Sequence, residues 1–271
     1  MTGPITEHRA GFGPGLTAIT RHDDPHEATG LGLAVLKIAA GENYRDVTLV
    51  ESAFLLMSGS VVASVANHNV KLARASLFDE APSCAHVAAG AEVRLSAESA
   101  TEFTIYRTDN RKPFEPRIFL PADTADEPRG KGQVGGACLR LVRTIFDRNN
   151  SDANAELVLG EVVTLPGRWS SYPPHHHPQP EIYHYRFAHP QGYGHAELGD
   201  AVFKVRGNDT IKILAGNDHA QCAAPGYPMY YSWVIRHLEN NPYTVPEFTA
   251  EHRWTMDPAA VPWRPKGLAD G

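Results

Sequence analysis

The sequence predicts an all-β protein made of two successive β units. Glycine (23 residues) and proline (21 residues) are frequent and spread along the 271 residues, as is typical of chains with many turns. Short runs of strand-forming residues recur at close spacing, whereas patterns long enough for a helix are nearly absent. Apolar residues make up 42% of the chain, which is enough for a substantial core.

The first unit is predicted to occupy residues 1–111. Its strand-like runs lie at 31–41, 47–52, 53–65, 70–78, 91–99 and 100–108. The "MSGS" in the third run predicts a hairpin turn, because Gly59 can adopt a positive φ at little cost.

A change of composition separates this unit from a second. Residues 112–136, "KPFEPRIFLPADTADEPRGKGQVGG", are rich in proline, glycine and charge, which predicts a long connector. The second unit, residues 137–271, has strand-like runs at 138–146, 155–165, 181–187, 194–199, 201–207, 210–216 and 229–237. One short helix is predicted at 250–256. The number of elements indicates a duplicated barrel or sandwich, although no literal repeat is visible.

Charge, cysteines and hydropathy exclude several classes of protein. The net charge is -6 and no cluster of lysine and arginine exists, which argues against nucleic acid as a partner. The three cysteines form no C-x-x-C pair and are expected to be reduced and buried: Cys84, Cys138 and Cys222. The sequence shows neither a signal peptide nor an apolar stretch of about 18 residues that would span a membrane. We therefore expect a cytoplasmic protein without a membrane partner.

The stretch "SSYPPHHHPQPEIYHYRF", residues 170–187, predicts a metal site. On an extended chain alternate side chains share a face, so His175 and His177 can reach one point while His176 faces away. The prolines of "PQP" predict a short turn that returns Glu181 beside the two histidines. The predicted fourth ligand is His219, which follows the strand-like run 210–216 in "LAGNDHAQC".

Imidazoles together with a carboxylate suit a divalent metal, with zinc first and manganese, iron or nickel as alternatives. Because an H-x-H motif in a proline-rich loop is common without any metal, the prediction depends on all four residues together. His189 and His195 are weaker candidates. His184 is weaker too, because it alternates with Glu181 and should face the other way.

The same residues resemble the two motifs of the cupin superfamily. Gly167 leads to the H-x-H pair and Glu181, and Gly207 leads through Leu214-Ala215-Gly216 to His219. The flanking sequence is similar to the 5-deoxy-glucuronate isomerase family of inositol catabolism, in "GRWSSYPPHHH", "EIYHYRF", "APGYPMYYSWVI" and "DPAAVPW". The resemblance covers most of the chain and is strongest over 155–263. It implies a bicupin, two tandem β-barrel or jelly-roll domains, with metal ligands only in the C-terminal one.

The resemblance also implies an activity, the conversion of 5-deoxy-glucuronate to 2-deoxy-5-keto-gluconate. This aldose–ketose isomerisation removes a proton from the carbon next to a carbonyl, and a divalent metal stabilises the charge that develops on the oxygens. In this interpretation Glu181 is both a ligand and the base. Tyr183 and Tyr185 share its strand face and donate hydrogen bonds to the substrate.

An anionic sugar acid also needs a cation. The cation is left open among Arg140, Arg143 and Lys204, because alternation turns Arg186 away from the site. No choice among the three follows from the sequence.

Leu214 replaces the proline of the second cupin motif, and the chain departs from the isomerase family's pattern at three further positions. Tyr185 stands where the family has an inward histidine, and Ala196 and Glu197 stand where it has glutamine and arginine. Next to them, His195 is predicted to be a new polar group in the pocket.

Two other function classes stay open. The first is a cupin dioxygenase that uses iron in the same ligand set, which iron content and oxygen uptake would reveal. The second is a non-catalytic cupin that binds a sugar acid without turnover. In each case the partner is a small-molecule sugar acid, and a homo-oligomer that forms through edge strands is also left open.

Overall fold

The computed structural model describes residues 3–26, 28–214 and 216–266, so Ala215 of the predicted second motif lies outside the described residues. The described residues form 21 strands and three short 3₁₀ segments, which confirms the all-β prediction. The helix predicted at 250–256 is the 3₁₀ helix Ala250–Met256. The other 3₁₀ segments are Pro121–Asp123 and Gln133–Gly136.

The strands are numbered in chain order. The first ten are β1 (Ile5–Thr6), β2 (Gly15–Thr20), β3 (Leu31–Ile38), β4 (Asn43–Val47), β5 (Glu51–Val65), β6 (His68–Arg74), β7 (Cys84–Val87), β8 (Glu92–Ala97), β9 (Thr101–Thr108) and β10 (Arg117–Phe119). The others are β11 (Glu127–Arg129), β12 (Arg140–Phe146), β13 (Leu157–Thr164), β14 (Trp169–His176), β15 (Glu181–Phe187), β16 (Tyr193–Leu198), β17 (Ala201–Arg206), β18 (Thr210–Ile213), β19 (His219–Ala223), β20 (Met229–Arg236) and β21 (Glu247–Phe248).

Strands β2 to β10 form the N-terminal half. The main path runs β10-β7-β5-β9-β3-β2, and β5 also pairs with β6 and β8. Apolar side chains that include Phe54, Leu56, Phe103 and Ile105 form a buried cluster in this half. Among the described residues, no cluster of potential metal ligands is found here.

The hairpin predicted at "MSGS" is wrong. The chain runs through Gly59 as the single strand β5, which pairs with β9 up to Ser58 and with β6 from Gly59 onward. Gly59 does have a positive φ of 100°, but it lies inside a continuous strand, at a point where the backbone near Ala100 approaches closely. A Cβ at this position would lie 2.5 Å from the carbonyl oxygen of Ala100. The sequence therefore predicted the positive φ of Gly59 correctly but assigned it to a hairpin turn instead of a strand interior.

Gly59→Ala is expected to lower the free energy of unfolding by roughly 2–3 kcal/mol, because torsional strain and the close contact with Ala100 add up. Urea unfolding measures the loss. Gly41→Ala is the matched control, since Gly41 has a φ of 81° and no atom within 4 Å of the added Cβ. The control should lose only about 1 kcal/mol. Equal losses in the two variants would contradict the close-contact argument.

The C-terminal half consists of two sheets that pack on each other. One has seven strands in the order β1-β18-β15-β20-β13-β12-β11, and the other has five in the order β17-β16-β19-β14-β21. Tyr185 and Tyr231 of the first sheet share a core with Ala196 and Val205 of the second. Alternate residues of the seven-stranded sheet therefore face this interior, and the residues between them face the N-terminal half.

The predicted connector takes part in both sheets. Within it, β10 pairs with β7 of the N-terminal sheet and β11 pairs with β12 of the C-terminal sheet. At the start of the chain, β1 pairs with β18 of the C-terminal half. A shared apolar core also joins the halves, with Leu55 and Tyr106 packed in one cluster with Leu159 and Tyr230. The domain boundaries at residues 111 and 137 stay a prediction.

A buried ionic network crosses this shared core. The Glu161 carboxylate accepts hydrogen bonds from Arg74 of β6 (2.5 Å and 3.1 Å), Arg143 of β12 (3.0 Å) and the Tyr230 hydroxyl (2.8 Å). The Glu161, Arg74 and Arg143 side chains are each 0% exposed. The network therefore links the two halves without contact with solvent.

All three cysteines are free, with Cys84 and Cys138 buried and Cys222 half-buried. No helix among the described residues is long and apolar enough to cross a membrane.

Candidate metal centre

Strand pairing brings the predicted ligands together. His175 lies near the end of β14, His177 follows that strand directly, and Glu181 is the first residue of β15 after a three-residue turn. His219 is the first residue of β19, and its register partner on β14 is His175. Local sequence order and one long-range strand pair thus determine the cluster.

The cluster is compact. The ligand atoms of His177, Glu181 and His219 all lie within 4.8 Å of one another. Oε2 of Glu181 is 3.2 Å from Nε2 of His177 and 3.4 Å from Nε2 of His219. The His175 ring adjoins them, with its centroid 4.4 Å from that of His219. His177, Glu181 and His219 are buried, whereas His175 is half-buried.

Backbone carbonyls orient all three imidazoles. Nδ1–H of His177 donates to the carbonyl oxygen of Gln179 at 2.8 Å, and Nδ1–H of His219 donates to that of Asn217 at 3.1 Å. His175 makes the equivalent bond to Pro173 at 3.3 Å. Because a carbonyl oxygen only accepts, these bonds place the proton of each neutral ring on Nδ1 and leave the Nε2 lone pair free.

The donor set fits a divalent cation. Nε2 of His219 is buried and has no hydrogen-bond partner, and Nε2 of His177 faces a carboxylate oxygen although its proton is on Nδ1. Buried lone pairs that face a carboxylate are costly unless a positive charge lies between them. The imidazole nitrogens of His177 and His219 and the Glu181 carboxylate, with the His175 ring adjoining them, are ligand types that zinc and related metals prefer in proteins.

The protonation states agree with that donor set. Burial lowers the pKa of His175 to about 3, so this imidazole is neutral near pH 7. Burial raises the pKa of the Glu181 carboxyl, but hydrogen bonds and positive charge at the His177 and His219 rings outweigh burial and hold the pKa at about 2. A metal ion bound between these groups would supply the same positive charge. The carboxylate is therefore ionised at neutral pH.

A cavity of about 280 Å³ opens onto the cluster. His175, His177 and Glu181 line one part of it, and side chains from the interior face of the seven-stranded sheet and from the segment 243–248 line most of the rest. Two aromatic rings of the segment 241–248 lie against the histidines, Tyr243 at 5.0 Å from His177 and Phe248 at 5.7 Å from His175. Sequence reasoning missed this segment, whose only signal is its aromatic residues beside two prolines.

The two predicted tyrosines occupy different positions. Tyr183 lines the cavity, and its hydroxyl lies 3.3 Å from Oγ of Ser171. Tyr185 points to the same side but lies deeper, and its hydroxyl donates to Oε1 of Gln221 at 2.6 Å. It is not among the described residues that line the cavity. The wall contains a tyrosine that the sequence did not single out, Tyr231, whose ring stacks on Tyr183 at 4.6 Å.

The remaining histidines lie away from the cluster. His176 faces outward, as alternation predicts, with Nδ1 2.7 Å from the Asp218 carboxylate. His184 is buried on the other side of β15, where Nδ1 lies 2.8 Å from the hydroxyl of Thr210. His189 is exposed.

The prediction that His195 is a pocket group is wrong. Along β16 the buried positions are Gly194 and Ala196, so strand alternation turns His195 to solvent. Glu197 is half-buried in a separate cleft beside Trp169 and Trp254. The departure at position 197 therefore lies outside the histidine cavity.

The three cations that the sequence left open lie in different surroundings. Arg140 lines the cavity. Arg143, three residues further along β12, points to the opposite face and pairs with Glu161. Lys204 lies over the Tyr193 ring, 4.1 Å from its centroid. Arg186 faces away from the site and pairs with Glu102 at 2.7 Å.

Comparisons with known proteins agree with this architecture. A protein from Lacticaseibacillus casei, named 5-deoxy-glucuronate isomerase, is 26% identical over 248 residues, which cover 82% of this chain and 86% of the relative. A protein of the same name from Geobacillus kaustophilus (strain HTA426) is 25% identical over 256 residues, 84% of this chain and 86% of the relative.

Solved structures show the same fold. An IolB-like protein from Salmonella typhimurium LT2 matches with a TM-score of 0.80 at 21% identity, over 94% of this chain and 100% of that one. A cupin 2 conserved barrel domain protein from Leptotrichia buccalis matches with a TM-score of 0.51 at 12% identity, over 82% of this chain and 88% of that one. These likenesses confirm the predicted cupin fold.

The two relatives match most of the chain, and both are named as an isomerase. The sequence model of the KduI/IolB family matches residues 5–255. This chain is therefore an isomerase that belongs to the KduI/IolB family.

Proposed function

We propose that the protein is a metal-dependent aldose–ketose isomerase that converts 5-deoxy-glucuronate to 2-deoxy-5-keto-gluconate in inositol catabolism. One observation carries the proposal: free Nε2 lone pairs and the Glu181 carboxylate converge beside a small cavity, in a chain whose relatives bear that enzyme's name. The volume of about 280 Å³ lies just below the range of about 300–1,000 Å³ for drug-sized ligands, which suits a six-carbon acid.

The residues that would hold the cation are His175, His177, Glu181 and His219, with zinc first among the candidate metals. When bound, the cation supplies Lewis-acid stabilisation of negative charge on the substrate oxygens.

Glu181 is the proposed base. Its Oε2 faces the imidazoles, and its Oε1 has no hydrogen-bond partner among the described residues. Since Glu181 lines the cavity and is ionised at neutral pH, Oε1 can take the proton next to the carbonyl and return it to the neighbouring carbon. One carboxylate then carries the carbon-bound proton from one carbon to the next, while the proton of the neighbouring hydroxyl passes to the former carbonyl oxygen, so the composition of the sugar acid is unchanged.

Tyr183 is the proposed hydrogen-bond donor to the substrate. Burial raises the pKa of its phenol well above the ordinary value, so the hydroxyl keeps its proton at neutral pH. Tyr243 and Phe248 lie against His177 and His175 and reduce the access of water to the site.

A cytoplasmic location is part of the proposal, and the three free thiols, which suit a reducing compartment, support it. Self-association through edge strands stays a prediction.

The experiment is turnover of 5-deoxy-glucuronate in heavy water by purified protein of measured metal content. We expect the ketose to appear in NMR spectra, with deuterium at its C6 hydroxymethyl carbon, the former aldehyde carbon, where the transferred proton exchanged with solvent, and with no oxygen consumed. Oxygen uptake by an iron-loaded sample, or saturable binding without product, would contradict the proposal. The first result would indicate a dioxygenase and the second a binding protein.

A further inference from the structure

Arg140 is a half-buried cation that faces the cavity. On β12 the side chains of Arg140, Val142 and Thr144 alternate toward the cavity, and all three line it. Nη1 of Arg140 donates to the carbonyl oxygen of Cys138 at 3.0 Å. No carboxylate of the described residues forms an ion pair with it, and its Nε and Nη2 have no hydrogen-bond partner among them.

Other interior arginines are neutralised within the protein. Arg74 and Arg143 share the Glu161 carboxylate. Arg129, which also lines the cavity, is exposed and pairs with Glu127 at 2.6 Å. A guanidinium stays charged at every physiological pH, so removing one from water without a counter-ion is costly. Arg140 thus has no counter-ion among the described residues, as is expected of a side chain that binds an anionic ligand.

We infer that Arg140 binds the carboxylate of the substrate and determines the preference for sugar acids over neutral sugars. This inference deepens the proposed function and rests on it. In the seven-stranded sheet β20 and β13 lie between β15, which carries Glu181, and β12, which carries Arg140. Their backbones are therefore about three strand spacings, roughly 14 Å, apart across the sheet, and both side chains line the same cavity. An open-chain uronate has its carbonyl and its carboxylate at opposite ends, so with its carbonyl at the cation site it would direct its carboxylate toward the long Arg140 side chain.

The test compares two unreactive open-chain ligands. L-gulonate is glucuronate with its aldehyde reduced, and D-glucitol differs from it only by a hydroxymethyl group in place of the carboxylate. Binding of each to the metal-loaded protein is measured by calorimetry. We expect the native protein to prefer L-gulonate and Arg140→Gln to lose roughly 10- to 100-fold in affinity for it, the range for hydrogen bonds between charged groups. D-glucitol binding should not change.

Two further variants separate recognition from folding. Arg140→Lys should keep part of the preference, because lysine retains the charge but cannot make the two-pronged contact with a carboxylate. Lys204→Gln, which removes an exposed cation outside the cavity lining, is the matched control and should bind L-gulonate as the native protein does. The inference is overturned if Arg140→Gln keeps the preference, or if it loses both ligands equally.

The assay needs no turnover, so the two proposals fail separately. If 5-deoxy-glucuronate is not converted but Arg140→Gln still loses the preference for the acid, the isomerase proposal falls and the role of Arg140 stands. If conversion is observed and the preference survives in the variant, the inference about Arg140 falls alone.

Discussion

Replacing His177 with alanine is expected to strip the metal from the protein and to lower turnover of 5-deoxy-glucuronate by at least about 10³-fold, more than the loss of a single transition-state hydrogen bond. The reason is geometric. His177 supplies one of the Nε2 lone pairs that converge on Oε2 of Glu181, and its Nδ1 bond to Gln179 fixes that orientation. Metal content by mass spectrometry and the rate are measured on the same sample.

His176→Ala is the matched control, one position away in the same sequence of three histidines. Its imidazole faces outward and contacts Asp218, so metal content and rate should stay close to those of the native protein. Equal losses in the two variants would contradict the prediction that His177 faces the metal site and His176 faces outward.

Glu161→Gln is expected to lower the free energy of unfolding by about 3–5 kcal/mol, the cost of leaving a buried charge uncompensated. The change keeps the shape of the side chain but removes the charge that Arg74 and Arg143 share. Arg143 keeps a second partner in Asp126, so the buried Arg74 is the guanidinium that loses its counter-charge. At roughly 2–4 °C per kcal/mol for a chain of this size, the melting temperature should fall by about 6–20 °C.

Glu92→Gln is the comparison for that change. Glu92 pairs with Arg45 and Arg94 on the surface, where ion pairs contribute about 0–1 kcal/mol. The same chemical change should therefore have little effect there. A loss at Glu161 no larger than at Glu92 would show that the buried network does not stabilise the junction of the two halves.

Most strands and the ligand cluster could be predicted because their signals are local. Strand β15 begins and ends where the sequence predicts, at residues 181 and 187, because its alternation is uninterrupted. Strand β14 was not predicted, because Pro173 and Pro174 lack backbone N–H groups and its pairing with β19 is interrupted between Ser170 and His175. The H-x-H spacing nevertheless indicated the correct face.

Features that depend on tertiary pairing could not be read from the chain. Nothing local indicates that β1 joins the C-terminal sheet or that β10 and β11 extend different sheets. Strand alternation places Arg140 and Arg143 on opposite faces of β12. Which of these two faces lines the cavity depends on how the sheets pack. Tyr243 and Phe248 reach the histidines only because β21 pairs with β14.

The central claim is that the histidine cluster is a metal-dependent isomerase site, and a metal titration tests it most directly. The metal is removed with a chelator, then restored in steps, and conversion of 5-deoxy-glucuronate is measured at each occupancy. The account predicts no turnover by the metal-free protein and a rate that rises in proportion to occupancy up to one ion per chain. Equal rates with and without metal, or full occupancy without conversion, would contradict it.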